Sequence, residues 1–415
     1  MSDDFYLRTR CRMCDGSNMV RVLSLAPTPP GNHFLRREEL NDPEPRYPLD
    51  LYLCRSCAHV QLGHVVDPRI LYQKNYPYVS ATSTVFVKHL QDYAAEMIKQ
   101  FAMTPGALVA DIGSNDGTCL RFFQQGGMRV IGVDPAIQIA KKATESGIPT
   151  IGQFFSHSLA KELRSKHGAA AFITSHNACA HIDHLDDVMR GVAHWLQDDG
   201  VAVVEVGYLV DVYTKLWFDT IYHEHLDYHT VGPFKHLFAR TGLELLSAVR
   251  VSPQGGSIRI IAQKSSGPRT ADFTADDLIK LEAELGLNEP AAFEIYQRRI
   301  ERVGEELRAI IASMKESGKR VAAFGATTKS TTLLSTLGLD SDAIDFIVDD
   351  NPLKQGLYSP RFHIPVVAPE ELYLRRPDYL LVLAWNFAEP IMAKHQAFSK
   401  SGGKFIIPMP EPRLI

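Results

Sequence analysis

No run of 18 consecutive apolar residues occurs in this sequence, and its start, MSDDFYLRTR, is polar and acidic with no signal-peptide core behind it. A membrane-spanning helix and a secretory leader are therefore not expected, and the cytoplasm is the expected location. Basic charge is not in excess either. Lys and Arg number 44 against 48 Asp and Glu, a formal charge of −4, which argues against a nucleic-acid surface while leaving a local basic patch open. Cysteine is scarce, six residues in all. What is present is ordinary for a soluble protein, 45% hydrophobic and 22% charged, and 415 residues exceed what one core supports, so two domains and a small module are expected.

Four of the six cysteines form two C-x2-C pairs, Cys11 with Cys14 and Cys54 with Cys57. Each pair sets two thiolates on a tight turn, and two such turns supply four soft ligands for a closed tetrahedral zinc site. Redox pairs are the competing reading, disfavoured in a reducing cytosol. Four thiolates leave no open coordination position, so the metal is expected to be structural. The long separation of the pairs implies an excursion, assigned to the Pro-rich stretch 27–48.

From residue 107 the text ALVADIGSNDG reads as a strand, a Gly-rich turn and a helix over about 118–126. Small residues at Gly113, Ser114 and Gly117 admit close approach of a ligand at the carboxyl edge of a sheet. The spacing is neither the phosphate-cradling GxxxxGK[ST] nor a clean GxGxxG, and a lone Gly-rich turn is weak evidence. A second strand, MRVIGVDP, ends on Asp134, where an acid can accept from ribose hydroxyls. A dinucleotide-dependent dehydrogenase would carry the same acid. The DIGSNDG form, with Asp111 and Asn115, resembles the first motif of class I methyltransferases, which holds S-adenosylmethionine; the same resemblance lays Phe154 and Asn177 along that cofactor. Alternating strands and helices follow, with a strand near 148–152, AAFITSHNACAH, a helix over 184–196, VAVVEVGY and a helix near 234–242. The runs LELLSAVRV and SIRIIAQK then look like an antiparallel edge hairpin.

Tyr222, His223, Glu224, His225, Leu226, Asp227, Tyr228 and His229 concentrate proton-transfer groups after a strand, and His181 follows the preceding strand. General acid-base chemistry is the favoured reading. A metal site on the His223–His225 pair and a solvated polar loop remain as alternatives, the first weakened because the segment is not HExxH.

Residues 265–275 are polar with Gly and Pro, and 276–316 read as helices broken near Asn288–Pro290. A second α/β unit opens with KRVAAFGATTKSTTLL, in which the amides around Ala326 and Thr327 and the Lys329 ammonium could meet an anion at a helix N-terminus. Asp349 and Asp350 end its next strand, as in nucleotide-binding units; a Rossmann-like remnant that only packs is the alternative. The expected boundaries are 1–75 for the zinc module, 76–265 for the cofactor domain and 266–415 for the C-terminal domain.

Paired CxxC knuckles, a DIGSNDG domain carrying YHEHLDYH, and a unit with FGATTKSTTLL and VDDNPLKQG occur in this order. The set resembles the sugar C-methyltransferases of deoxysugar biosynthesis, specifically the C-3′-methyltransferases acting on dTDP-linked 4-keto-6-deoxy sugars, over nearly the whole chain. The resemblance implies an α/β protein: a zinc module, a doubly wound class I methyltransferase sheet and a Rossmann-like C-terminal domain, with S-adenosylmethionine and structural zinc as cofactors. It places a nucleotide-linked keto-sugar, a dTDP-sugar first, between the last two domains, and matches Glu224, His225, Tyr222, His181 and Tyr76 to catalytic positions. His225 is the expected base, oriented by Glu224, and Lys329 is the less secure phosphate contact. Methylation at C5′, at oxygen or nitrogen, and a non-catalytic zinc-stabilised nucleotide-binding scaffold stay open. Neither nucleic acid nor membrane is an expected partner, and one chain completes the cleft, so a monomer is expected.

Overall fold

A computed structural model describes residues 4–72, 81 and 83–415, of Tyr72 the backbone only. The expected α/β architecture is present, and no helix among the described residues is long and apolar enough to cross a membrane.

Among the described residues the central sheet has seven strands, in the spatial order Leu243–Val251, Ser257–Lys264, Leu196–Gly207, Ala170–His176, Leu108–Ile112, Arg129–Val133, Thr150–Ile151. Five run parallel, and Ser257–Lys264 pairs antiparallel with both of its neighbours. Leu108–Ile112 is buried at every position, as a strand covered on both faces must be. The helix Thr84–Gln100 covers one face with Phe86, Leu90, Tyr93, Ala94 and Met97, a stripe at helical spacing, and Ser83 caps it by accepting the Phe86 N–H at 3.3 Å. All parallel strands deliver their carboxyl ends to one edge, and chain reversal on either side of Leu108–Ile112 opens the crevice there.

In the N-terminal module Met19–Thr28, Tyr47–Cys54 and Val60–Leu62 pair antiparallel. Its fourth strand is Asp227–Tyr228, from inside the histidine-rich segment, in register with Gln61 and Val60. The Pro-rich excursion reaches the C-terminal domain: Thr328 donates to the Asn32 side chain at 2.7 Å, Thr331 to the Gly31 carbonyl at 3.1 Å, and Leu35 bridges to Tyr358.

The helices Thr274–Glu284 and Pro290–Glu316 break where expected, with Pro290 in the first turn, a position that needs no N–H partner. Glu282 anchors the first, accepting from the Tyr208 hydroxyl at 2.9 Å and the Val231 amide at 2.7 Å. The C-terminal sheet runs Val366–Val367, Ile347–Val348, Val321–Phe324, Tyr379–Val382, Lys404–Ile407, Arg413–Leu414, parallel but for the last strand.

Candidate active site

A cavity of about 790 Å³ opens at the carboxyl edge of the central sheet. At one end Asp111, Gly113, Ser114, Asn115, Asp134, Phe154 and Asn177 line it, at the middle His181, Tyr222, Glu224 and His225, and at the far end Trp217, Thr328 and Lys329. The two groups read from separate motifs thus share one space.

At the first end the DIGSNDG turn is shaped by its glycines. Gly113 has φ +77°, and a Cβ there would meet the Ala178 Cβ at 2.4 Å, so a side chain would close the crevice. Gly117 does different work from that expected. It enters the helix Thr118–Gln125 at φ +77° against Ile148, 2.8 Å from where its Cβ would be, and does not line the cavity. Asp134 braces the turn: one carboxylate oxygen accepts the Asn115 amide and the other the Ala136 amide, both at 2.8 Å. Each oxygen keeps a second lone pair for a ribose hydroxyl. Burial raises the pKa of Asp134, and burial with the Asp134 charge raises that of Asp111 well above the carboxylate range. Among the described residues one oxygen of Asp111 is buried without a hydrogen-bond partner. Phe154 is 64% exposed, an apolar wall for a flat ligand.

In the middle, His225 is held at both ring nitrogens. Its Nδ1 lies 2.9 Å from the Thr220 carbonyl and its Nε2 2.7 Å from the Tyr222 hydroxyl. A carbonyl only accepts, so Nδ1 carries the proton, Nε2 is the lone pair and Tyr222 donates to it. Burial, then His181, then Lys329 hold His225 well below the ordinary histidine range, so the ring is neutral at neutral pH. The His181 ring lies 4.9 Å from it, centroid to centroid, with Nδ1 donating to the Glu224 carbonyl at 2.6 Å, and burial lowers its pKa to about 4. Glu224 does not orient His225 as expected. Thr220 and Tyr222 occupy both imidazole nitrogens, while Glu224 keeps one carboxyl oxygen buried and unpartnered among the described residues. Burial lifts that carboxyl to about 7. His223 faces the Tyr47 carbonyl at 3.2 Å, and none of the clusters of three or more metal-ligating groups among the described residues includes it. Tyr76 lies outside the described residues.

At the far end the C-terminal unit departs from the expected anion cradle. The Ala326 amide is spent on Asp349 at 2.6 Å, the Thr327 hydroxyl caps its own helix on Ser330, and Asp350 pairs with Lys394 at 2.6 Å. Only Lys329 of the three expected contacts lines the cavity. Its ammonium stands 4.8 Å over the Trp217 ring. Burial lowers its pKa against the opposing charge of Asp219. Asp219 itself is buried and raised to about 6, and accepts from the Trp385 indole at 2.8 Å. Trp217, Asp219 and Thr220 went unread in the sequence; WFDTI precedes the histidines but carries no motif of its own.

Three family models cover the chain in succession: "Putative zinc binding domain" at residues 11–72, "Methyltransferase domain" at 86–248 and "C-methyltransferase C-terminal domain" at 252–410. The C-methyltransferase NovU of Streptomyces niveus is 35% identical over 98% of this chain and 96% of its own. The chain belongs to the C-methyltransferase family. Two solved structures superpose on part of the chain. The magnesium protoporphyrin IX methyltransferase of Synechocystis PCC 6803 with bound S-adenosylmethionine matches 47% of this chain and 88% of its own at TM-score 0.34 and 14% identity. PH0226 of Pyrococcus horikoshii OT3 matches 47% and 98% at 0.37 and 14%.

This C-methyltransferase uses S-adenosylmethionine, and its N-terminal module binds zinc. The donor set fits the metal. The sulfurs of Cys11, Cys14, Cys54 and Cys57 all lie within 4.8 Å of one another, with Cys11 to Cys57 at 3.6 Å and Cys14 to Cys54 at 3.5 Å. A tetrahedron with Zn–S bonds of about 2.3 Å has edges of about 3.8 Å. None of the four is in a disulfide, and all but Cys14 are buried.

Proposed function

We propose that this C-methyltransferase methylates C3′ of a nucleotide-linked 4-keto-deoxy sugar, a dTDP-sugar first, after base-catalysed removal of the C3′ proton. The observation that carries the reading is the Tyr222–His225 pair: a neutral imidazole with its lone pair aimed at a hydroxyl, in the cavity that also holds the cofactor turn. Carbon is a poor nucleophile, so transfer to it needs an enolate, and a C4′ ketone acidifies the proton on C3′. Tyr222 stands between the acceptor and His225. Its oxygen takes the carbon-bound proton as its own passes to Nε2, leaving an enolate and an imidazolium. The protonated form of Glu224 donates to the enolate oxygen, a contact worth about 2.7–4 kcal/mol in an organised site, and His181, its proton held by the Glu224 carbonyl, lines the sugar side of the cavity. When bound, S-adenosylmethionine supplies the electrophilic methyl group. Asp134, Gly113, Asn115, Phe154 and Asn177 hold the donor, Lys329 meets the anionic part of the acceptor, and Tyr76 keeps the substrate-side place the resemblance implies. One chain supplies both ends of the cavity, which supports a monomer of three units, 1–75, 76–265 and 266–415.

The test is incubation with S-adenosylmethionine and a panel of nucleotide-linked 4-keto sugars, followed by location of the new methyl by NMR. A methyl on C3′ is expected. A methyl on C5′, oxygen or nitrogen, or no turnover of any panel member, overturns the assignment.

A further inference from the structure

Side chains of both zinc knuckles reach the segments that carry the catalytic histidines. Arg12 sits between the ligands Cys11 and Cys14 in sequence and is 1% exposed. Its guanidinium turns away from the metal site, into the seam between two loops. Nε donates to Asp183 at 2.9 Å, and Nη1 donates to the Leu62 carbonyl at 3.0 Å and the Leu226 carbonyl at 3.3 Å, with Asp227 at 3.8 Å. Asp183 is two residues past His181, and Leu226 is the residue after His225. The two loops also touch directly: Leu226 donates to the Ala180 carbonyl at 2.7 Å, and His181 Nδ1 to the Glu224 carbonyl at 2.6 Å. The other knuckle grips the same segment, since His59, two residues past Cys57, lies 2.6 Å from the Asp227 carboxylate.

We infer that Arg12 is a positioning residue, which ties the His181 and His225 segments to the zinc knuckle and so sets the geometry in which the proton is removed. Its backbone is fixed at both sides by metal ligands, and its amide donates to the Gln61 side chain at 2.9 Å. The fork therefore starts from a rigid base. A planar guanidinium reaches a carboxylate on one loop and a carbonyl on the other at once, which an ammonium does not. The register of two loops bearing histidines 4.9 Å apart thereby depends on a residue that touches neither ring. The inference rests on His225 as base, and the test separates the two.

The experiment compares full-length zinc-loaded wild type, Arg12→Lys and Asp183→Asn, with S-adenosylhomocysteine bound for the spectra. Imidazole nitrogen NMR, assigned with His225→Asn, reads the rings. Cobalt substitution reads the thiolate site, and calorimetry the cofactor affinity. Turnover is followed with S-adenosylmethionine and dTDP-4-keto-6-deoxyglucose. In Arg12→Lys the His181 and His225 ring signals are expected to move and kcat to fall about 10- to 100-fold with KM little changed, the scale of loss that a misplacement of about 1 Å brings. The cobalt spectrum and cofactor affinity are expected to stay as in wild type. Unmoved ring signals in a folded Arg12→Lys overturn the inference, and so does movement that comes only with loss of the cobalt spectrum. If Arg12→Lys does not fold, Asp183→Asn, which leaves the knuckle intact, decides with Arg8→Gln beside it, because Arg8 also pairs with Asp183 at 3.0 Å: ring movement in Asp183→Asn alone supports the inference, and movement in both or in neither overturns it. If His225→Asn turns over normally, the base assignment fails. If wild type does not turn over this sugar, the substrate assignment fails while the ring signals still decide the role of Arg12.

Discussion

The Tyr222 hydroxyl donates to Nε2 of His225 across 2.7 Å, while Thr220 fixes the opposite nitrogen at 2.9 Å. Held at both ends, the imidazole has one tautomer and one direction in which to accept a proton. Replacing His225 with Asn removes the acceptor and leaves the cofactor turn untouched. Turnover is expected to fall by about 10²- to 10⁴-fold, the range of a general base, with S-adenosylmethionine affinity nearly unchanged by calorimetry. Tyr222→Phe is expected to fall similarly, and the double variant no further than the worse single one, because the two act as a unit.

Asp134 supports the DIGSNDG turn through two backbone amides and, on the proposed reading, accepts from ribose. Asp134→Asn exchanges one acceptor oxygen for a donor facing a donor. Affinity for S-adenosylmethionine is expected to drop by about 10- to 100-fold, as hydrogen bonds to charged groups are worth about 1.5–3 kcal/mol. Binding calorimetry of the pure variant checks this, and an unchanged Kd would take Asp134 out of the site.

Four thiolates packed within 4.8 Å of one another repel unless a cation is shared. Metal analysis is expected to find one zinc per chain and none after Cys57→Ser with chelator. Melting should then begin in the N-terminal module, because binding energy of about 10–16 kcal/mol at such sites is folding energy. A chain that melts identically with and without zinc would contradict this.

Acid should destabilise the fold. Burial lowers His176, His181, His223 and His229 from 6.5 to about 4, so between those values the unfolded chain binds protons that the native chain refuses. Stability from these groups is complete above pH 6.5 and is lost as pH falls toward 4, at about 1.4 kcal/mol per unit per group. Glu224, raised to about 7, Asp219, raised to about 6, and the raised Asp111, Asp134 and Glu282 act in the opposite sense, but His225 and Glu205, both lowered, add to the four histidines and outnumber them. Thermal melts from pH 7 to 4 are expected to show a steady fall, and a flat profile would contradict the burial of the neutral histidines.

The middle sheet was legible because its strands are unbroken apolar runs ending in turn residues, and the edge hairpin because PQGG interrupts two β-rich stretches. The zinc ligands were legible from spacing alone. The pairing of Asp227–Tyr228 with the zinc module was not, since a two-residue strand has no period to read. Ala326 and Thr327 looked like anion contacts because a Gly-rich turn leads into a helix, but whether an amide is already spent, here on Asp349, is a tertiary fact. Adjacency misled at Glu224 as well. Its neighbour in sequence is His225, yet the groups that orient that ring are Tyr222 and Thr220. Arg12 carries no motif beyond its place between two cysteines.

Hydrogen exchange at carbon tests the central claim most directly. With S-adenosylhomocysteine in place of the donor, dTDP-4-keto-6-deoxyglucose in deuterium oxide should take up deuterium at C3′ with the wild-type chain and not with His225→Asn. Methyl transfer by wild type with no such exchange, or exchange that persists undiminished in His225→Asn, would contradict proton removal by this pair.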